Sequence, residues 1–250
     1  NQVLQFSSKY NDLEFVNLSQ SLDIVTSDLQ GEVMKTRMQP IGNVLNKFVR
    51  IVRDIAQDLN KKIKIELSGT ETELDKTLLE AIRDPLTHII RNSCDHGIES
   101  PDQRLKLGKS EEGTIHIKAF HEGGQVLIEI SDNGRGLQKE RIVQKAIEKG
   151  LISSDKLKQM NDKDIFSLIL TPGFSTAEKV SSVSGRGVGM DVVKTNIEKI
   201  GGSIELNSIE GHGTDIKMKI PVTLAIVPAM VVKASGEPFC IPQIRLVELV

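Results

Sequence analysis

Apolar and polar positions alternate with a period of two in Ile63, Ile65, Leu67; in Ile115, Ile117, Ala119; in Val126, Ile128, Ile130; and in Ile216, Met218, Ile220. The residues between them are mostly Lys, Glu, His, Ser or Asp. Successive side chains of a strand point to opposite faces, so each stretch predicts a strand with one apolar and one polar face. Such strands fit an antiparallel or mixed sheet that helices cover on one side.

The helical period supplies the cover. Helices are expected near 41–59, 73–83, 85–96, 139–149 and 188–200, the last with the stripe Met190, Val193, Ile197 and Ile200. Asp84 before Pro85 reads as a cap followed by proline at the first helical position, which divides 73–96 into two helices. Residues 1–36 read as a polar helix. In it Phe15, Leu18, Leu22, Val25 and Leu29 recur at spacings of three and four, a heptad seam suited to an intermolecular bundle. Pro40 and Gly42 then mark a hinge. Residues 150–186 are rich in Ser, Lys, Asp and Gly with one apolar run, Ile165 to Leu170, and predict a mobile lid. Beyond Pro221, a β-rich stretch, the turn Ser235-Gly236-Glu237-Pro238 and Phe239 to Ile241 predict the opening hairpin of a further domain.

Composition narrows the function. The chain has 250 residues, 38% hydrophobic and 26% charged, the profile of a soluble globular protein. A net charge of -2, no Trp and one Tyr give neither the field nor the stacking surfaces of a nucleic-acid binder. The sequence has no apolar run of the roughly 20 residues a membrane span needs, and it opens on no signal peptide. Two cysteines, Cys94 and Cys240, make no disulfide framework and point to the cytoplasm.

Four short motifs carry the chemistry. In the first, His88, Asn92 and Asp95 are spaced to share a helix face, followed by His96 and Gly97. The Asn92 amide oxygen is a ligand type for Mg²⁺, which prefers oxygen and keeps waters beside phosphate. His88 is placed to act as a base or to orient a group. A solvated polar face would have the same period, since Leu86, Ile89 and Ile90 lie opposite. In the second motif, Asp132 ends a strand and Gly134 and Gly136 follow. A carboxylate there suits an adenine amino group, and the glycines let the backbone approach the ring, although such sequences also make ordinary turns. In the third, Gly185, Gly187 and Gly189 precede a helix, where amide donors and the helix N-terminus suit phosphates. The P-loop's Gly-Lys-Ser/Thr is missing, and the polar stretch 177–184 disfavours a dinucleotide fold. In the fourth, Gly213-Thr214 opens the last strand, where the hydroxyl suits an adenine contact through water. Together the motifs describe a pocket for ATP and Mg²⁺.

In this order they resemble the ATP-binding (GHKL) fold shared by gyrase, Hsp90, MutL and the sensor histidine kinases. Further stretches are similar to the CheA family of chemotaxis histidine kinases: Val33 to Gly42, Val52-Arg53-Asp54, Glu73 to Thr77, Asp84 to His88, Asp95 to Glu99, Thr171 to Ser175 and Gly189 to Val193. The resemblance runs from about Leu29 onward. It implies an α+β chain: a partial helical dimerisation segment (1–38), a GHKL-type α/β sandwich kinase domain (39–221), and the first strands of an SH3-like regulatory domain (222–250) that binds a CheW-type coupling adaptor. It also implies a homodimer serving chemoreceptors, in which the γ-phosphoryl of Mg-ATP passes to a histidine on a separate phosphoacceptor domain.

The family's nucleotide contacts carry over onto Asn92, Asp95, His96, Asp132, Gly134, Gly136, Ser175, Gly187, Gly189 and Thr214, with Gly185 in the same loop. Asn92 would hold Mg²⁺. His88 would assist transfer, standing where gyrase-type relatives carry Glu. The five histidines, His88, His96, His116, His121 and His212, include none on a four-helix acceptor surface. The chain is therefore expected not to phosphorylate itself, and with half the helical seam to dimerise weakly. The alternatives are a scaffold that binds ATP without turnover and an ATP-driven clamp, the latter opposed by His88 in place of Glu.

Overall fold

In a computed structural model of the chain, the described residues are 13–153, 157, 160–174, 189–222, 229–234 and 236–242. They fall into two units, 1–39 and 40–250. The first unit contains helix α1 (Leu13–Lys35). Its seam residues Leu18, Leu22, Val25 and Leu29 are 56–68% exposed, so the heptad stripe holds on a real helix with its apolar edge in solvent.

The second unit runs α2 (Gly42–Asp58), β1 (Ile63–Ser68), α3 (Lys76–Asn92), α4 (Pro101–Lys106), β2 (Gly113–Glu122), β3 (Gln125–Asp132), α5 (Lys139–Glu148), α6 (Asp162–Ser167), α7 (Met190–Lys199), β4 (Ser203–Ile209), β5 (Gly213–Pro221), β6 (Ala229–Ala234) and β7 (Glu237–Pro242). Strands β1 to β5 form one mixed sheet in the order β1-β2-β3-β5-β4. The pair β1–β2 is parallel and the others antiparallel. Ile115, Ile117, Val126, Ile128, Ile130, Met218 and Ile220 lie buried beneath the helices, together with Leu45, Phe48, Leu78, Ile82, Leu86, Ile89, Val193 and Ile197 of the helices themselves. The opposite face is polar and laced with cross-strand pairs such as Lys217–Glu129 at 2.6 Å and Lys219–Glu205 at 2.7 Å. The alternation therefore identified four of the five strands and the covered face. The fifth, β4, carries only Ile204 and Leu206 as its apolar pair, between Gly202 and Gly211.

Two expectations are corrected. Residues 76–92 form one helix with Pro85 inside it, not two helices. The cap lies earlier: the Asp75 side chain accepts from the Thr77 N–H at 2.7 Å. Proline removes one N–H, but Pro85 is on the buried face between Ile82 and Leu86, and core packing carries the helix through. The second correction concerns the lid. Ile165, Phe166, Leu168, Ile169, Leu170 and Phe174 are buried in the core. Helix α6 is held by a capping box in which Asn161 and Asp164 exchange bonds of 3.0 Å. Residues 160–174 are thus a core element, while 154–156, 158–159 and 175–186 of the expected lid lie outside the described residues. The expected C-terminal hairpin forms as β6 and β7, turning at Gly236 with φ +88.

Candidate functional site

Asp132 ends β3, opposite Ile115 of β2 and Thr214 of β5. It is 9% exposed. Its Oδ2 accepts from the Ser93 hydroxyl at 3.0 Å and its Oδ1 from the Gly134 N–H at 3.0 Å. Burial pushes the carboxyl above its usual range, against hydrogen bonds from the Gly134 backbone, the Ser93 side chain and the Thr214 backbone. A carboxylate has about four acceptor positions, so these bonds leave capacity for a further donor. The Gly97 backbone flanks it: a Cβ on Gly97 would stand 3.2 Å from Asp132 Oδ2, and one on Gly134 only 2.2 Å from the Gly97 carbonyl oxygen. The Arg135 N–H donates to that same carbonyl at 2.9 Å. Gly136 abuts Ile209, and the Thr214 hydroxyl is 3.2 Å from Ser208 Oγ. Ser208 also accepts from the Leu137 N–H at 2.9 Å and donates to the Gly213 carbonyl at 2.8 Å, closing the loop after Asp132 onto the β4–β5 turn.

Helix α3 feeds this cluster through a π-helical turn, Ser93–Gly97, in which the Ile98 N–H reaches the Ser93 carbonyl at 2.8 Å. Such turns re-aim side chains and recur at functional sites. Here Ser93 meets Asp132, while Asp95 is half-buried and His96 exposed. The Lys61 ammonium donates to the carbonyls of Cys94 at 2.7 Å and Asp95 at 2.8 Å, pinning the turn. Burial, then neighbouring Arg135, lowers the Lys61 pKa. The Cys94 thiol, pushed up to about 12 mainly by burial, is an inert packing group.

One residue earlier, the site helix faces α7. The Asn92 amide nitrogen lies 3.4 Å from Met190 Sδ, which turns its oxygen the other way. Asp191, in the first turn of α7, accepts from the Gly173 N–H at 3.2 Å and from the N–H of the following residue, Val192, at 3.0 Å. Its negative charge stands at the helix start where the sequence suggested phosphate. His88 is half-buried, and burial, reinforced by Arg91, lowers its pKa against the pull of Asp191. It is therefore neutral at pH 7. The folded chain holds this proton less tightly than the unfolded chain. His88 thus contributes no pH-dependence well above 6.5, and stability falls as pH drops from 6.5 toward the folded value. An NMR titration is expected to place the His88 midpoint below 6.5; a midpoint above it would contradict the buried placement.

The structure therefore gathers Asp132, Gly134, Gly136, Gly97 and Thr214 at one cluster, and His88, Asn92 and Gly189 at another, joined by the site helix. Ser175, Gly185 and Gly187 lie outside the described residues. Sequence reasoning missed Ser93, Lys61, Ser208 and the trio of buried Glu99 and Arg104 with half-buried Lys109. Only the last had a signal: Ser100-Pro101 is a helix start, and an Arg and a Glu near it and the Asp-His-Gly turn make a natural buried pair. Among the described residues no group of three His, Cys, Asp or Glu stands ready to hold a metal. The Asn92 amide oxygen, turned away from Met190, is of the ligand type that fits Mg²⁺ taking its other ligands from phosphate and water.

Residues 81–224, more than half of the chain, match the family described as histidine kinase-, DNA gyrase B-, and HSP90-like ATPase. The chain belongs to this family. Within it, the chain is 55% identical over 230 residues to the sensor histidine kinase CheAY of Helicobacter pylori, covering 92% of this chain and 29% of that protein. It is 43% identical over 240 residues to chemotaxis protein CheA of Bacillus subtilis, covering 95% and 36%. It is 46% identical over 251 residues to CheA of Salmonella typhimurium, covering 97% and 36%. The chain thus spans about a third of the length of these relatives. The five-stranded sheet with one helical cover is the family's α/β layer, and among the described residues no helix is long and apolar enough to cross a membrane.

Proposed function

We propose that the chain is the ATP-binding, phosphoryl-donating part of a cytoplasmic chemotaxis histidine kinase. The observation that carries this is Asp132, a buried carboxylate held by Ser93 and Gly134 with acceptor capacity to spare. An adenine amino group donates to such an acceptor, whereas guanine presents a carbonyl there and is repelled. Asn92 lies one residue, and neutral His88 five residues, before Ser93 on the same helix, where the triphosphate would extend. Asn92 would hold Mg²⁺, which supplies charge neutralisation on the phosphates when bound. His88 would accept or orient the proton of the attacking imidazole on a separate phosphoacceptor domain. Ser175, Gly185, Gly187 and Gly189 would cover the phosphates. The exposed seam of α1 would form a homodimer, and the β6–β7 end would begin the region that meets a CheW-type adaptor and chemoreceptors. The names of the relatives support this assignment.

The test is transfer of ³²P from Mg-ATP to an added acceptor domain, comparing the parent with His88→Gln and Asn92→Asp. Both variants are expected to slow transfer by roughly 100-fold. A parent that binds ATP and transfers nothing would make the chain a scaffold. Steady phosphate release without acceptor would make it a clamp-type ATPase.

A further inference from the structure

The Asp-Asn-Gly loop that presents Asp132 rests on a buried, charged structure that the proposed function does not use. Arg104, in the short helix α4, is 1% exposed, and Glu99 is 3% exposed. Arg104 Nη1 donates to Glu99 Oε2 at 3.0 Å and to the Asn133 carbonyl at 3.0 Å, while its Nε donates to the Ser110 carbonyl at 2.7 Å. Lys109 Nζ donates to Glu99 Oε1 at 2.8 Å, to the Gly134 carbonyl at 2.6 Å and to the Asn133 carbonyl at 3.3 Å. Two cations therefore converge on the two carbonyls that follow Asp132, and one carboxylate holds both cations in place. Burial, the largest single influence, works against ionisation of Glu99, but the Lys109 bond, a backbone hydrogen bond and the charges of Lys109 and Arg104 together leave the pKa below the usual range.

The peptide units explain what this does. The Asn133 carbonyl and the Gly134 N–H belong to one peptide plane. The carbonyl takes the two cations, and the N–H donates to Asp132 Oδ1 at 3.0 Å. The Gly134 carbonyl and the Arg135 N–H belong to the next plane. That carbonyl takes Lys109, and that N–H donates to the Gly97 carbonyl at 2.9 Å. In both planes a cation pulls on the oxygen while the N–H grips the site. A hydrogen-bonded chain polarises along its length, so charge on the carbonyl strengthens the bond the N–H makes. The Asn133 side chain fixes the first plane from a third direction, its Oδ1 accepting from the Thr114 N–H at 2.8 Å.

We infer that Arg104 and Lys109, held by Glu99, are positioning residues for base recognition. Through two successive peptide planes they fix the Asp132 carboxylate and the Gly97 backbone against which the adenine is read. The inference rests on the proposed nucleotide site and deepens it. A purely structural ion pair would support folding without setting the preference for one base over another.

The test measures Kd for ATP and for GTP by calorimetry on the folded chain, for the parent, Arg104→Met, Arg104→Lys, Lys109→Met and Asp132→Asn, with thermal melts alongside. Lys109→Met and Arg104→Met are expected to weaken ATP roughly tenfold while GTP changes little, so the ATP-over-GTP preference collapses. Arg104→Lys should recover part of it. The double variant Lys109→Met, Asp132→Asn should be no worse than Asp132→Asn alone, because both act on one contact. A lowered melting temperature with the base preference intact, or additive effects in the double variant, would overturn the inference and leave the nucleotide site standing. A parent that binds neither nucleotide would overturn the site itself. Lys109, whose side chain is 18% exposed, carries the test if Arg104→Met does not fold.

Discussion

Replacing Asp132 by Asn is expected to lower ATP affinity by roughly 100-fold or more, the loss seen when a site built to receive a hydrogen bond can no longer do so. Asp132 is acceptor-only when ionised, and the Ser93 hydroxyl and Gly134 N–H already donate to its two oxygens. An asparagine must turn an NH₂ toward one of these donors. It then either opposes that donor, at about 1–3 kcal/mol for a buried unsatisfied group, or offers a donor where the adenine amino group also donates. Calorimetric titration with ATP checks this, and an affinity within threefold of the parent would remove Asp132 from base recognition. The same variant has a pH signature. Burial raises the folded pKa of Asp132 above 3.8, so between 3.8 and the folded value the folded chain binds the extra proton. Asp132 therefore makes the parent lose stability as pH rises through that window. The Asp132→Asn variant would lack this contribution, and urea midpoints measured across acid pH would show a shallower fall.

A large stability effect is expected at Gly213. Its φ is +136, and a Cβ there would stand 1.8 Å from the Asp132 carbonyl oxygen. No side chain that could swing away is involved; the obstacle is the backbone of the adjacent strand. Gly213→Ala should therefore cost about 4 kcal/mol or more, in the exceptional tail of single substitutions. Gly211 is the control, two residues away in the same turn, with φ +79 and nothing within 4 Å of an added Cβ. Gly211→Ala should cost about 1 kcal/mol, the contribution of backbone conformation alone. Chemical denaturation of both variants separates the two contributions. Equal losses would mean that β3 and β5 do not approach as closely at Asp132 and Thr214 as the ladder places them.

The sequence made the sheet legible because its period-two pattern has a single physical cause, one face under helices and one in water. Ile115, Ile117, Val126, Ile128 and Ile130 could be assigned without knowing their partners. Pro85 was misread because a local rule about proline competes with burial of a whole helix face, and local sequence does not reveal which wins. Residues 160–174 were misread because Lys and Asp around Ile165 to Leu170 mask a helix whose apolar side reaches the core. At the candidate site, Asp132 was visible as a carboxylate at the end of a strand. Ser93 was not, because the π turn shifts the helical phase, and no spacing rule based on 3.6 residues would aim it at Asp132. Lys61 holds the Cys94 and Asp95 carbonyls and Ser208 holds the Leu137 N–H, backbone atoms far away in sequence that no pattern along the chain encodes.

Asp132 lies between strands made at different times. Its Ser93 partner is synthesised well before it, but Thr214 and the strand that closes against β3 come near the end of the unit. As the chain leaves the ribosome, the carboxylate waits for its neighbour, and this long-range pairing is among the slowest steps of assembly. A nucleotide that binds only the finished arrangement would report completion of folding. It would also add about 2.7 kcal/mol to the finished state at a concentration 100 times its Kd. ATP, abundant in any cell, would then act on this chain first as a folding ligand and only afterwards as a substrate.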